Sequence, residues 1–128
     1  MNNILLIDDD PIVNFIHKRV IGKQFPDANI IVKENGQVAL DFLHENVEND
    51  YLVFLDINMP VMNGWEFLEA LDLPGNNFQL QIFILTSSID QSDRKMAEES
   101  PRVSGFLTKP LSQEELLTEM SKYNYLAS

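Results

Sequence analysis

The sequence predicts an α/β fold in which the strands of a parallel sheet alternate with helices. Three apolar runs of four residues, at 4–7, 52–55 and 82–85, consist of branched and aromatic side chains. Continuous runs of this kind are typical of strands that are buried on both faces of a parallel sheet. Helical patterns separate the runs along the chain, as in repeated strand–helix–strand units. We therefore expect a single sheet with helices on both sides.

Two further strands, at 28–32 and 105–108, raise the predicted number to five. Helix starts are marked by side chains that accept hydrogen bonds from the free N–H groups of a first turn. Asp10, followed by proline, predicts a helix from 11 to about 22, and Asn35 predicts one from 36. Ser112 and Glu115 have the spacing of a capping box at the start of the last helix.

Two more helical patterns span about 65–71 and 92–99. Met96 and Ala97 are almost the only apolar residues of the second pattern. A helix with so little apolar surface can bury little of it, so we expect this element to be weakly anchored.

The composition excludes several classes of protein. The 128 residues contain no cysteine, which rules out disulfides, thiolate nucleophiles and zinc–thiolate sites. Twenty acidic residues against nine basic ones give a net charge of −11, which argues against direct binding to nucleic acid. No apolar run could span a membrane, and a strand follows the first residues where a signal segment would lie. The expected location is cytoplasmic.

Side chains that could bind a ligand or take part in a reaction follow the ends of the predicted strands. Asp8 and Asp9 follow the first strand, Asp56 follows the third, Thr86 the fourth and Lys109 the fifth. The carboxyl ends of parallel strands share one edge, where ligands bind in α/β sheets. Carboxylates are ligands that Mg²⁺ prefers, and a lysine and a hydroxyl can contact phosphoryl oxygens. The pattern predicts a site for a metal ion and a phosphoryl group.

Each of these residues also has a simpler interpretation. The Asp8–Asp9 pair could cap a helix, Asp56 could belong to a turn, and Lys109 could be a solvated surface residue. Their coincidence at one sheet edge favours the site over these separate explanations. His17 and His44 lie in helical patterns without a neighbouring second ligand, so we predict ordinary surface or partly buried histidines there.

Four motifs in order resemble the response-regulator receiver domain of two-component signalling, as in the chemotaxis response regulator. They are Asp8–Asp9, the segment Asp56–Gly64, Thr86–Ser87 and Lys109–Pro110, and the resemblance covers residues 3–126. It implies a three-layer (βα)5 flavodoxin-like doubly wound sheet with five parallel strands in the order 2-1-3-4-5. Because the sequence ends shortly after the fifth predicted helix, we expect a single receiver domain over residues 1–128 with no effector domain, either a natural stand-alone receiver or a fragment of a larger regulator.

The resemblance assigns roles to the residues at the strand ends. Asp56 would be the phosphoacceptor, with Lys109 and Thr86 at the phosphoryl oxygens. Mg²⁺, for which Mn²⁺ could substitute, would be held by Asp9 and Asp56, by Asp8 directly or through water, and by the backbone carbonyl of Asn58.

The same resemblance implies a switch. Thr86 would move toward the phosphoryl group, and an aromatic residue of the fifth strand would rotate inward behind it. Phe106 stands where the family often has tyrosine, so we predict a switch driven by packing. Helix 4, strand 5 and helix 5 would report the change. Asn58 and Ser88 are expected to tune hydrolysis of the acyl phosphate.

The expected partners are a sensor histidine kinase or a histidine phosphotransfer protein, and a downstream protein target. The chain would be a monomer or a weak phosphorylation-dependent dimer, and would catalyse only its own phosphoryl transfer and slow self-dephosphorylation.

Two alternatives stay open. One is a small magnesium-dependent phosphatase of the haloacid-dehalogenase type, although that family places its nucleophile and a second aspartate on the first strand. The other is a non-phosphorylated pseudo-receiver that acts as a scaffold.

Overall fold

A computed structural model describes residues 3–87 and 91–122, which form a five-stranded parallel sheet flanked by helices. The strands are β1 (Asn3–Ile7), β2 (Asn29–Lys33), β3 (Asp50–Asp56), β4 (Gln79–Thr86) and β5 (Val103–Thr108). The helices are α1 (Pro11–Gln24), α2 (Gly36–Glu45), α3 (Gly64–Leu71), α4 (Gln91–Glu99) and α5 (Gln113–Ser121). The strand order is β2-β1-β3-β4-β5, and every neighbouring pair is parallel. The predicted fold and strand order are confirmed.

The central strands are buried on both faces, as their unbroken apolar runs predict. Leu5, Val53 and Leu55 face a core cluster shared with α2 and α3. Phe54 and Phe83 face the opposite cluster, which includes residues of α1 and α5. Burying a side chain of this size contributes about 1.5–3 kcal/mol to stability.

Helix α4 is anchored far less than the others. Within its described part only Ala97 is buried, while Met96 is 47% exposed. The prediction of a weakly anchored fourth helix agrees with this burial. Among the helices that the structure describes, none combines the length and the apolar character that a membrane span requires.

The helix starts largely follow their predicted caps, with one difference. The side chains of Asp10 and Asn35 accept hydrogen bonds from backbone N–H groups of α1 and α2. Ser112 accepts one from the N–H of Glu115, 3.0 Å away. The Glu115 carboxylate, however, accepts from the N–H and the hydroxyl of Thr108, both at 3.0 Å. The capping box predicted for α5 is therefore only half formed, because its acidic member joins the helix to β5 instead.

Candidate functional site

Three carboxylates converge at the carboxyl edge of the sheet. Asp8 and Asp9 follow β1, and Asp56 ends the neighbouring strand β3. One oxygen of each side chain lies within 4.8 Å of the other two. Asp8 is 1% and Asp56 is 5% exposed, whereas Asp9 faces solvent. Two buried acids and one accessible acid could together hold a metal ion.

Backbone contacts fix the buried carboxylates. Oδ1 of Asp8 accepts a hydrogen bond from the backbone N–H of Asp10 at 3.0 Å, and the carbonyl oxygen of Asp8 accepts one from the side-chain amide of Asn14 at 2.8 Å. Oδ1 of Asp56 accepts a longer bond, at 3.4 Å, from the N–H of Asn58. The first turn of α1 and the loop after β3 thus orient the two acids.

Lys109 bridges the two buried acids. Its Nζ lies 2.6 Å from Oδ2 of Asp8 and 3.3 Å from Oδ1 of Asp56. The Lys109 backbone N–H donates to the carbonyl of Thr86 at 2.8 Å, which ties the residue after β5 to the end of β4. The peptide bond from Lys109 to Pro110 is cis. One ammonium therefore serves two carboxylates at short range.

Asp56 is the ionisable group of the site whose charged form is disfavoured. Burial raises the pKa of Asp56, the charge of Asp8 raises it further, and Lys109 and the Asn58 N–H oppose the shift. Burial by itself would lower the pKa of Lys109, but its contacts with Asp8 and Asp56 outweigh burial and raise it. Lys109 thus stays charged at neutral pH, while the negative charge of Asp56 is stabilised only in part.

Replacing Asp56 by asparagine is expected to stabilise the protein at pH 7 without divalent cations. A raised folded-state pKa means that the folded protein binds more protons than the unfolded chain above the ordinary carboxyl value of 3.8. The stability that this group contributes therefore falls as the pH rises from 3.8 through the higher folded-state pKa of Asp56, and it stays reduced above that pKa. Asp56→Asn removes the penalty, so its gain should shrink as the pH is lowered toward 3.8.

Urea unfolding in the presence of a chelator, at several pH values, measures this gain. Asp50→Asn is a matched control, because Asp50 is an exposed aspartate at the start of the same strand. A stabilisation by Asp56→Asn that was the same at every pH would contradict the electrostatic explanation.

The remaining predicted residues lie on β4, on β5 and in the loop after β3. Thr86 is 1% exposed at the end of β4, and its Cα is paired with that of Thr108. Asn58 is exposed in the loop after β3. Phe106 is half-buried on β5, and the guanidinium carbon of Arg94 in α4 lies 5.6 Å from its ring centroid. Ser88 lies outside the described residues.

His17 is not the ordinary surface or partly buried histidine that the sequence predicted. It is fully buried, and its Nε2 accepts a hydrogen bond from the N–H of Leu111 at 3.2 Å. Asn14 and Ile21, three residues before and four after it, are the other buried residues of α1. That helical spacing was the available signal. His44 is exposed, as predicted, and contacts Asn76 at 3.0 Å.

Helix α4 has a polar contact that the sequence pattern did not indicate. Nε1 of Trp65, at the start of α3, lies 3.2 Å from a carboxylate oxygen of Asp93 and donates to it. The next residue, Arg94, is the one that contacts the Phe106 ring. Consecutive side chains of α4 therefore contact α3 and β5, which partly offsets its small apolar surface.

Comparison with known proteins agrees with this architecture. Residues 4–121 match the family described as the response regulator receiver domain. The chain belongs to this family. It is 32% identical over 120 residues to the transcriptional regulatory protein CpxR of Escherichia coli, an alignment that covers 94% of this chain and 48% of CpxR. The chain thus spans about half the length of that relative.

Solved structures of response regulators superpose closely on this receiver domain. A two-component response regulator from Cytophaga hutchinsonii gives a TM-score of 0.84 at 31% identity, and the match covers 95% of this chain and 96% of that one. The chemotaxis protein CheY4 of Vibrio cholerae gives 0.77 at 22% identity, covering 95% and 98%. At 22% identity, the similarity to CheY4 shows a shared fold and no more. The predicted resemblance to receiver domains is confirmed.

Proposed function

We propose that this receiver domain accepts a phosphoryl group on Asp56 from a histidine kinase or a histidine phosphotransfer protein. The observation that carries the proposal is the placement of Lys109 Nζ, 2.6 Å from Asp8 and 3.3 Å from Asp56, beside three converging carboxylates. The Asp56 carboxylate is the nucleophile. Its oxygen forms a bond to phosphorus as the bond between phosphorus and the donor's histidine nitrogen breaks.

Asp8, Asp9, Asp56 and the backbone carbonyl of Asn58 would hold Mg²⁺, and Mn²⁺ is expected to substitute. The carboxylates fit such an ion because three of their oxygens already lie within 4.8 Å of one another. When bound, the ion supplies positive charge against the phosphoryl oxygens and the acids. The protein's own contribution is to keep the Asp56 oxygen in place and to present the Lys109 ammonium to the incoming group.

The proposed output is a change at the surface of α4, β5 and α5. A phosphoryl group on Asp56 adds negative charge and strong acceptor oxygens, to which the Thr86 hydroxyl would donate. Phe106 would then repack as Thr86 moves. The weak anchoring of α4 supports its movement, and the Arg94 side chain over the Phe106 ring would couple α4 to that repacking.

The receiver would therefore signal through a downstream protein target and not by turning over a substrate. Hydrolysis of its own acyl phosphate would be slow and tuned by Asn58 and Ser88. The net charge of −11 supports protein partners over nucleic acid. A monomer, or a weak dimer that forms on phosphorylation, is the expected state.

The test is incubation with acetyl phosphate and Mg²⁺, followed by intact-protein mass spectrometry. We expect the mass to rise by one phosphoryl group in the wild type and in Asp50→Asn. No gain is expected in Asp56→Asn or when a chelator removes the metal. Continuous phosphate release with no adduct would instead indicate a phosphatase, and an unmodified wild type would indicate a scaffold. Either result would refute the proposal.

A further inference from the structure

His17 joins α1 to the loop that carries Lys109, and the proposed phosphoryl transfer leaves its role unexplained. The imidazole is fully buried. Its Nε2 accepts from the N–H of Leu111, a residue 94 positions further along the chain and two after Lys109. Such a contact connects a buried helix face with the residues that follow the site lysine.

The contact fixes which nitrogen of the ring carries the proton. Because the Leu111 N–H donates to Nε2, that nitrogen must be unprotonated, and in the neutral ring the proton lies on Nδ1. Burial lowers the pKa of His17, Lys109 lowers it further, and Asp8 opposes the shift, so the ring is neutral at pH 7. Nδ1 is buried and has no hydrogen-bond partner in the described part of the chain.

That unpaired N–H distinguishes histidine from an apolar residue at this position. Leucine would fill a similar space without leaving a buried donor unpaired, which carries a free-energy cost. The property that histidine adds is the acceptor at Nε2. We therefore expect the role of His17 to depend on its hydrogen bond with the Leu111 N–H.

The segment from Lys109 to Leu111 is held at both ends by hydrogen bonds. The Lys109 N–H donates to Thr86 O at 2.8 Å, and the Leu111 N–H donates to His17 at 3.2 Å. Pro110 between them has no N–H to contribute. On one side the Lys109–Pro110 end of the segment borders a cavity of about 370 Å³, so packing does not restrain that end there, whereas the side chain of Leu111 is buried in the core.

We infer that His17 is a positioning residue, which holds the Lys109–Leu111 segment so that the Lys109 ammonium stays between Asp8 and Asp56. The kinetic consequence rests on the proposed function, whereas the placement of Lys109 does not. A separate hydrogen bond, from Gln113 to the carbonyl of Val20 at 3.0 Å, also joins α5 to α1. Loss of the His17 contact therefore leaves the two helices connected.

Two substitutions separate the acceptor from the volume of the ring. His17→Gln retains an acceptor that can reach the Leu111 N–H, and His17→Leu retains volume without one. With acetyl phosphate as donor, we expect His17→Leu to slow Asp56 phosphorylation about tenfold and His17→Gln about twofold or less. The half-saturating Mg²⁺ concentration should be unchanged in His17→Gln and should not rise in His17→Leu, because neither substitution removes a carboxylate ligand and a displaced Lys109 competes less with the ion.

The Lys109→Met background tests whether His17 acts through Lys109. In that background His17→Leu should cause no further loss of rate, because the group that it positions is absent. If His17→Leu slowed both backgrounds equally, or if His17→Gln were as slow as His17→Leu, the inference would be overturned. Should His17→Leu fail to fold, His17→Asn takes its place, since its shorter side chain cannot present an acceptor at Nε2.

Nuclear magnetic resonance of the unphosphorylated protein tests the placement by itself. We expect the proton on Nδ1 of His17, slow exchange of the Leu111 amide, and a Lys109 Nζ signal that shifts in His17→Leu but not in His17→Gln. Unshifted Lys109 signals in both variants would overturn the inference even if phosphorylation proceeds. A wild type that takes no phosphoryl group refutes the proposed function, while these signals still decide the role of His17.

Discussion

Replacing Lys109 by methionine is expected to lower the free energy of unfolding by about 3 kcal/mol at pH 7 without divalent cations. The substitution keeps most of the apolar stem but removes the charge that lies 2.6 Å from Asp8 and 3.3 Å from Asp56. Removing one partner of a buried ion pair leaves the other charge uncompensated, which typically costs about 3–5 kcal/mol. Proton uptake by Asp56 limits the loss, because the pKa of Asp56 rises further once Lys109 is gone.

Urea unfolding of Lys109→Met beside Lys122→Met isolates the effect of burial. Lys122 forms an ion pair with Glu119 at 3.3 Å, but its side chain is 58% exposed, so its loss should cost at most about 1 kcal/mol. If the proposed metal site is correct, Mg²⁺ should stabilise Lys109→Met more than the wild type, because the ion replaces the missing charge. Equal destabilisation by the two lysine substitutions would contradict this account of the site.

The sheet could be predicted from the sequence because its central strands are buried on both faces. Runs such as 52–55 and 82–85 contain no polar residue, as expected for a strand that has no face toward solvent. The true starts of β3 and β4 could not be predicted in this way. Asp50 and Gln79 are exposed polar residues of the kind found in loops, yet they pair with each other at the amino-terminal ends of β3 and β4.

The meeting of Asp8, Asp9, Asp56 and Lys109 could also be predicted, since parallel strands end at a common edge. Their chemical roles stay predictions. Two contacts depended on side-chain geometry that sequence spacing does not contain. The Glu115 carboxylate binds Thr108 instead of completing a capping box, and His17 accepts from Leu111 across 94 positions. A local pattern predicts a partner within a few residues, whereas both side chains found partners on other elements.

Gly64→Ala is expected to destabilise the protein by about 2–3 kcal/mol and to slow phosphorylation of Asp56. A Cβ at Gly64 would lie 2.7 Å from the carbonyl oxygen of Asp56 and 2.8 Å from Cα of Ile57. Both are backbone atoms, which cannot rotate away as a flexible side chain could. Overpacking of a rigid site typically costs about 1–3 kcal/mol, and here relief requires moving Asp56, the proposed acceptor.

Gly22→Ala is the matched control, since Gly22 is also helical and its added Cβ would come no closer than 4.0 Å to Ile30. Alanine favours a helix over glycine by up to about 1 kcal/mol, so this variant should be slightly more stable. Urea unfolding measures both changes, and the rate of adduct formation with acetyl phosphate reports the displacement of Asp56. If Gly64→Ala were as stable as Gly22→Ala and phosphorylated at the wild-type rate, the close approach of Gly64 to Asp56 would have no part in shaping the site.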